Sequence, residues 1–135
     1  MPPLSSPYFP ATFAEAWIAN WNARDVEAVL SHFADDCVFE SPIAQSVTGE
    51  AKLVGKAKLR AYWEAALARI PSLHFTLNDV AWDSGRRTLA VMYTSRVGER
   101  VTSCSELMTF DAQGRQTLGR AYYGAVTTCE QQSAA

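Results

Sequence analysis

Between Trp17 and Pro42 the chain reads WIANWNARDVEAVLSHFADDCVFESP, a run that leaves the fold little freedom. An aromatic helix, a short polar turn, a second amphipathic helix and a strand follow one another without a spacer. Phe13, Ala14, Trp17, Ile18 and Trp21 recur at helical spacing, so a helix from about Ala11 to Asn22 carries one apolar stripe. Asn22, Ala23 and Arg24 form the turn. Asp25 is placed to cap the next helix, since its carboxylate can accept from an orphan amide of the first turn. Val26, Val29, Leu30 and Phe33 give that second helix its buried face, and Asp35 and Asp36 end it. Cys37, Val38 and Phe39 then open a strand that Pro42 stops, because proline has no N–H to give to a ladder.

From Ile43 to Gly55 the pattern is less regular, with Gly49 and Gly55 as punctuation, and it predicts a short strand or loop. A third helix reads from Lys56 to Ile70, with Leu59, Tyr62, Trp63, Ala66, Leu67 and Ile70 on one face and Pro71 as its stop. Beyond Pro71 the period changes to two. Leu73, Phe75 and Leu77 alternate with His74, Thr76 and Asn78, the signature of a half-buried strand. Arg86 to Val97, Arg100 to Phe110 and Arg115 to Thr127 read as three further strands, turning at Val97-Gly98 and at Asp111 to Gly114. Three helices followed by consecutive antiparallel strands predict an α+β domain over 11–128. A proline-rich, extended arm precedes it at 1–10, with Tyr8 and Phe9 as anchors, and a frayed tail follows at 129–135.

Composition excludes several classes of function. Twelve basic and fourteen acidic residues give a net charge of −2 with no basic stripe, which argues against a nucleic-acid partner. Cys37, Cys104 and Cys129 show neither paired spacing nor a nearby histidine, so neither a disulfide framework nor a zinc site is expected. Asp35 and Asp36 lack further oxygen ligands in register for another metal. The segment MPPLSSPYFP has no basic or apolar leader region, and no apolar run approaches a membrane span. The expectation is a reduced, cytoplasmic protein needing no cofactor and no membrane.

The segments RDVEAVLSHFADDCVFESP, GKAKLRAYWEAAL, ELMTFDAQGRQ and AYYGAV, in this order, resemble the SnoaL-like branch of the nuclear transport factor two-like superfamily. The resemblance runs from Ala11 to Thr127. It implies a cone of strongly bent antiparallel sheet closed at its wide end by the three helices. It also implies a pocket between them and, commonly, a homodimer built on the outer sheet face. The superfamily includes ketosteroid isomerases, polyketide cyclases, epoxide hydrolases and dehydratases, so fold alone does not give chemistry. Laid on the isomerase pattern, the helix-one tyrosine falls on Trp17, the aspartate base on Ser41 and the protonated aspartate on Glu106. Indole is a weaker acid than phenol, and serine needs an activating partner to act as a base. The neighbouring Glu40 points to the other strand face. Steroid isomerisation is therefore not expected.

Glu106 is the leading candidate for chemistry. It shares a strand face with Cys104, Met108 and Phe110, a setting that raises a carboxyl pKa and suits it to donate a proton. The alternative is a structural carboxylate bonded to Trp17 or Asn20. Trp17, Trp63, Met108 and Tyr123 are expected to wall a pocket for a small hydrophobic ligand, with Ser41 reaching it from the rim. Trp21 is assigned mainly to the core, and His32 and His74 to the surface. Arg120 and Tyr122, with Leu107 and Thr109 across the neighbouring strand, compose an outer face suited to an interface. Two functional readings follow: a cofactor-free proton-transfer enzyme using Glu106, or a non-catalytic ligand-carrier or dimerisation module.

Overall fold

The computed structural model describes residues 1–128, so the expected tail and Cys129 lie outside the described residues. The elements run α1 (Phe9–Asn22), α2 (Val26–Leu30), β1 (Phe33–Glu40), α3 (Pro42–Thr48), β2 (Lys52–Val54), α4 (Lys56–Ala68), β3 (His74–Asp83), β4 (Thr88–Val97), β5 (Arg100–Phe110) and β6 (Gln116–Thr128). The six strands form one curved, unclosed sheet in the order β2-β1-β6-β5-β4-β3. The helices all fall in the N-terminal half, and α1 crosses the sheet against β3.

The α+β class and the four C-terminal strands agree with the sequence pattern, and several details differ for physical reasons. The proline-rich arm is not extended: it winds through turns, with Ser6 N–H donating to the Pro3 carbonyl at 2.9 Å. Pro10 sits in the first turn of α1, where its missing N–H costs nothing, so the helix starts at Phe9. Phe9 is buried as an anchor, whereas Tyr8 is 74% exposed and Leu4 packs on the core instead. Asp25 does cap α2, accepting from the Ala28 amide at 3.0 Å. That helix is shorter than expected, because Phe33 already belongs to β1; Asp35 and Asp36 lie within the strand rather than at a helix end. A fourth helix, α3, occupies Pro42–Thr48. Ser41 caps it, accepting from the Ile43 amide at 3.1 Å, and Gly49 ends it at φ 87°, a left-handed conformation suited to glycine. The expected short strand follows as β2.

The sheet is antiparallel except for one pair. β1 runs parallel to β6, with Phe39 opposite Gly119 and Glu40 opposite Arg120, and the Arg120 guanidinium donates to Glu40 at 2.6 Å. An antiparallel sheet throughout was the expectation; the departure arises because the whole chain between them serves as the crossover that a parallel pair requires. Register shifts between Leu77 and Asp79, Thr102 and Cys104, and Thr109 and Phe110 each insert a residue, bending the strands and deepening the curve.

The concave face is filled unevenly. At one end Phe9, Phe13 and Phe110 interlock, with ring centroids 4.9 to 5.6 Å apart, and close the core. His32 stacks edge-on to Phe13 at 5.2 Å and is half-buried rather than solvated; burial lowers its pKa. Toward the other end Trp17, Trp21, Trp63, Phe75 and Tyr93 meet at centroid distances of 4.7 to 6.4 Å but leave space between them. The single stripe of α1 thus serves a solid core through Phe9 and Phe13 and a hollow one through Trp17 and Trp21.

Two turn residues hold that hollow end in place. Asn22 exchanges a pair of hydrogen bonds with the Phe75 backbone, donating to its carbonyl at 3.0 Å and accepting from its amide at 2.7 Å. Arg24, at φ 57°, donates to the Leu67 carbonyl at 2.6 Å and the Ile70 carbonyl at 3.1 Å, satisfying orphan carbonyls at the end of α4.

Candidate functional site

The space under the helices is a cavity of about 570 Å³, within the usual range for small-molecule sites. Trp17 and Trp21 of α1 and Tyr62 and Trp63 of α4 form its roof. Its floor comes from Phe39, Phe75, Tyr93, Glu106 and Tyr123 on the sheet. Strand pairing explains this grouping. Tyr93 lies opposite Cys104, which lies opposite Tyr123, and Val91 and Ala121 flank Glu106 in the same way, so all share the concave face.

Glu106 is 5% exposed and lines the cavity. Burial alone raises its pKa from 4.5 to about 8, and among the described residues no donor reaches its carboxyl oxygens. It is therefore mostly protonated at neutral pH and free to donate. Neither Trp17 nor Asn20 bonds to it; the Trp17 and Trp21 indole N–H groups are themselves buried without a partner. Three phenols lie near enough for an ionised Glu106 to raise their pKa values, those of Tyr62, Tyr93 and Tyr123, although desolvation is the larger cause for each. The Ser41 hydroxyl lies beside the phenols of Tyr62 and Tyr123 and partly offsets that rise. Tyr93 lies beside the Cys104 thiol instead, which itself donates to the Thr102 carbonyl at 3.5 Å.

Of the residues singled out from sequence, Glu106, Trp17, Trp63 and Tyr123 come together around the cavity. Ser41 is 3% exposed and stands behind that wall, beside the two phenols. Met108 is fully buried beneath Glu106 and does not reach the cavity. Trp21, assigned to the core, is both buried and cavity-lining. Tyr62 and Tyr93 were not singled out for the site. Tyr62 could have been found beside Trp63 on the apolar face of its helix. Tyr93 becomes visible only once β4 and β5 are in register. Arg69 and Arg100 at the cavity mouth also carried no signal, since isolated surface arginines are common. On the opposite sheet face Tyr122 is 53% exposed, with Leu107, Thr109 and Arg120 partly buried around it. His74 is exposed on β3, away from the cavity.

Comparison with known proteins agrees with this architecture. The sequence model of the SnoaL-like domain matches residues 14–118. A SnoaL-like protein of unknown function from Burkholderia thailandensis is 32% identical, with 92% of this chain and 100% of that one covered at a TM-score of 0.80. SalBIII, an epoxide hydrolase/cyclase-like enzyme with a role in pyran ring formation in the polyether salinomycin, shares the fold at a TM-score of 0.71 and 13% identity, covering 89% of this chain and 95% of its own. A computationally designed 17-OHP binder shares it at 0.69 and 24% identity, covering 87% and 95%. No curated protein matches the sequence.

Proposed function

The chain belongs to the SnoaL-like family, whose scaffold leaves chemistry to the pocket residues, and we propose that it binds a small hydrophobic molecule in this cavity, with Glu106 donating a proton or hydrogen bond to it. One observation carries the reading: a buried carboxyl without a protein donor faces an apolar cavity of about 570 Å³. A carboxyl kept neutral in this way holds its proton at neutral pH and can pass it to a ligand oxygen as charge develops there. The reaction class is cofactor-independent proton transfer, such as isomerisation, cyclisation, dehydration or hydrolysis, on a carbonyl- or hydroxyl-bearing substrate. Trp17, Trp63 and Tyr123 orient the substrate, and Ser41 sets the phenol of Tyr123. Fold neighbours include the designed 17-OHP binder and TerC co-crystallised with polyporic acid, so the scaffold holds small molecules, and the aromatic wall here suits an apolar one.

A second reading, a ligand carrier without catalysis, rests on Ser41. Its hydroxyl caps α3 beside the phenols of Tyr62 and Tyr123, and a serine puts no carboxylate base at that position. We also propose a homodimer through the outer face of Leu107, Thr109, Arg120 and Tyr122, in a reduced cytoplasmic setting that suits the free thiols of Cys37 and Cys104. No helix among the described residues is long and apolar enough to cross a membrane.

The test is a thermal-shift screen of wild type and Glu106→Gln against aromatic, steroid-like and polyketide-like molecules. Wild type is expected to gain several degrees with a cognate scaffold, and the variant to lose most of that gain. Chromatography of the incubated hit separates enzyme from carrier by whether product forms. Silence across the screen, with both proteins well folded, would sink the ligand-binding reading.

A further inference from the structure

Among the described residues, the charged side chains lining the cavity are Glu106 within and Arg69 and Arg100 at its mouth. Arg69 caps the C-terminal end of α4, and Arg100 opens β5; both are exposed. Neither has a carboxylate or carbonyl partner among the described residues. The other arginines are engaged: Arg60, Arg86, Arg115 and Arg120 by carboxylates, Arg24 and Arg87 by backbone carbonyls, and Arg96 in an interaction of its own. Two uncommitted guanidinium groups bordering an apolar cavity make an uneven charge pattern. With Glu106 neutral, the cavity has a hydrogen-bond donor inside, aromatic walls between, and positive charge at its opening.

Position along the strand gives this pattern a scale. Arg100, Thr102 and Glu106 sit at even spacing on β5 and all line the cavity. Six residues of extended chain separate Arg100 from Glu106, about 20 Å between their α-carbons. Arginine's length shortens that span to the size of a two- or three-ring body. A guanidinium also binds a planar anion through paired N–H groups, which gives the opening selectivity as well as charge.

We propose, building on the ligand-binding reading above, that the cavity selects an amphipathic organic acid: an apolar ring system with one anionic group held by Arg69 and Arg100 and a neutral oxygen toward Glu106. A neutral molecule with the same body leaves the two guanidinium groups to water and gains nothing from them. The anionic ligand gains a charge-assisted contact, weakened by salt because the mouth is exposed.

Two fluorescent probes with one aromatic body test this: 1-anilinonaphthalene-8-sulfonate, which is anionic, and N-phenyl-1-naphthylamine, which is neutral. Quenching of Trp17, Trp21 and Trp63 reports entry into the cavity. Each probe is titrated into wild type, Arg69→Gln/Arg100→Gln and Arg69→Lys/Arg100→Lys, at low and raised salt, with a thermal melt of each protein. The Gln variant should lose about tenfold in sulfonate affinity while keeping its affinity for the amine. The Lys variant should recover part of the loss, and salt should weaken only the sulfonate. Equal sulfonate affinity in wild type and the Gln variant overturns anion selection and leaves the ligand-binding reading standing. A parallel loss of both probes in the Gln variant also overturns it, because the arginines would then shape the mouth rather than read charge. Quenching by neither probe in wild type overturns the ligand-binding reading and the selection built on it.

Discussion

At the scale of the single residue, Glu106 sets stability against chemistry. Its carboxyl is neutral in the folded protein up to about pH 8, whereas in the unfolded chain it ionises near 4.5. Between those values the unfolded state has released a proton that the folded state retains, so stability falls as pH rises, by at most about 1.4 kcal/mol per unit. The contribution is fully present below pH 4.5 and is lost by about pH 8. Glu106→Gln removes this titration. The variant is expected to be more stable than wild type at pH 7, by on the order of 3 kcal/mol, with the difference vanishing near pH 4. Urea melts across that range check it; a wild type and variant that run parallel with pH would refute burial as the cause. Gly119 is a residue whose role is spatial. A β-carbon there would lie 2.9 Å from Cδ1 of Phe39, a cavity-lining ring fixed on β1. Gly119→Ala should cost roughly 1–3 kcal/mol, read from the denaturant midpoint.

Elements meet around the cavity through a few side chains rather than through broad packing. Asn22, at the end of α1, holds the Phe75 carbonyl and amide through the N–H and the oxygen of its one side-chain amide, and Phe75 lines the cavity. Asn22→Ala leaves that carbonyl and amide without their partner, so about 2 kcal/mol of stability should be lost. Ligand or probe affinity should fall with it, since β3 would no longer be tied to the roof helix. A variant that loses stability but keeps full affinity would show that the cavity wall is held by other contacts. The linking bond is not readable from sequence, because Asn22 and Phe75 are separated by three helices and two strands. Helix α3 was missed for a different reason. Pro42–Thr48 buries only Ala44 and so carries no apolar stripe, the signal by which helices are recognised. Its start and stop, Ser41-Pro42 and Gly49, were present in the sequence as punctuation.

For the molecule as a whole, the convex sheet face and the concave cavity ask different things of alternate residues on the same strands. β6 shows this most plainly: Tyr123 faces the cavity, and Tyr122 is presented on the outside beside Arg120. If the outer face pairs two copies, Tyr122→Glu buries a charge at the junction and should yield monomers by sedimentation, with the fold and cavity unchanged. An unaltered sedimentation coefficient would remove that assembly. The Glu40–Arg120 pair on the same face ties β1 to β6 within the chain, so Tyr122 is the cleaner residue to change.

The sequence alone determined what depends on near neighbours. The stripe of Phe13, Trp17 and Trp21 defined α1, alternation around Glu106 put an acid on the apolar face of β5, and Asp25 announced its helix cap. Periodicity conveys these because a helix or strand presents its own residues to the core at a fixed spacing. Tertiary structure decided what depends on which distant segments lie together. The parallel register of β1 with β6, the ring of Tyr62, Tyr93 and Tyr123 about Glu106, and the depth that buries Met108 all arise from distant pairing. The same holds for the cavity: apart from Glu106, the residues lining it read as ordinary core or surface residues in their own segments. The empty volume exists because the aromatic rings of α1 and α4 touch the curved sheet at a few points, as Trp17 touches Tyr93, without filling the space between.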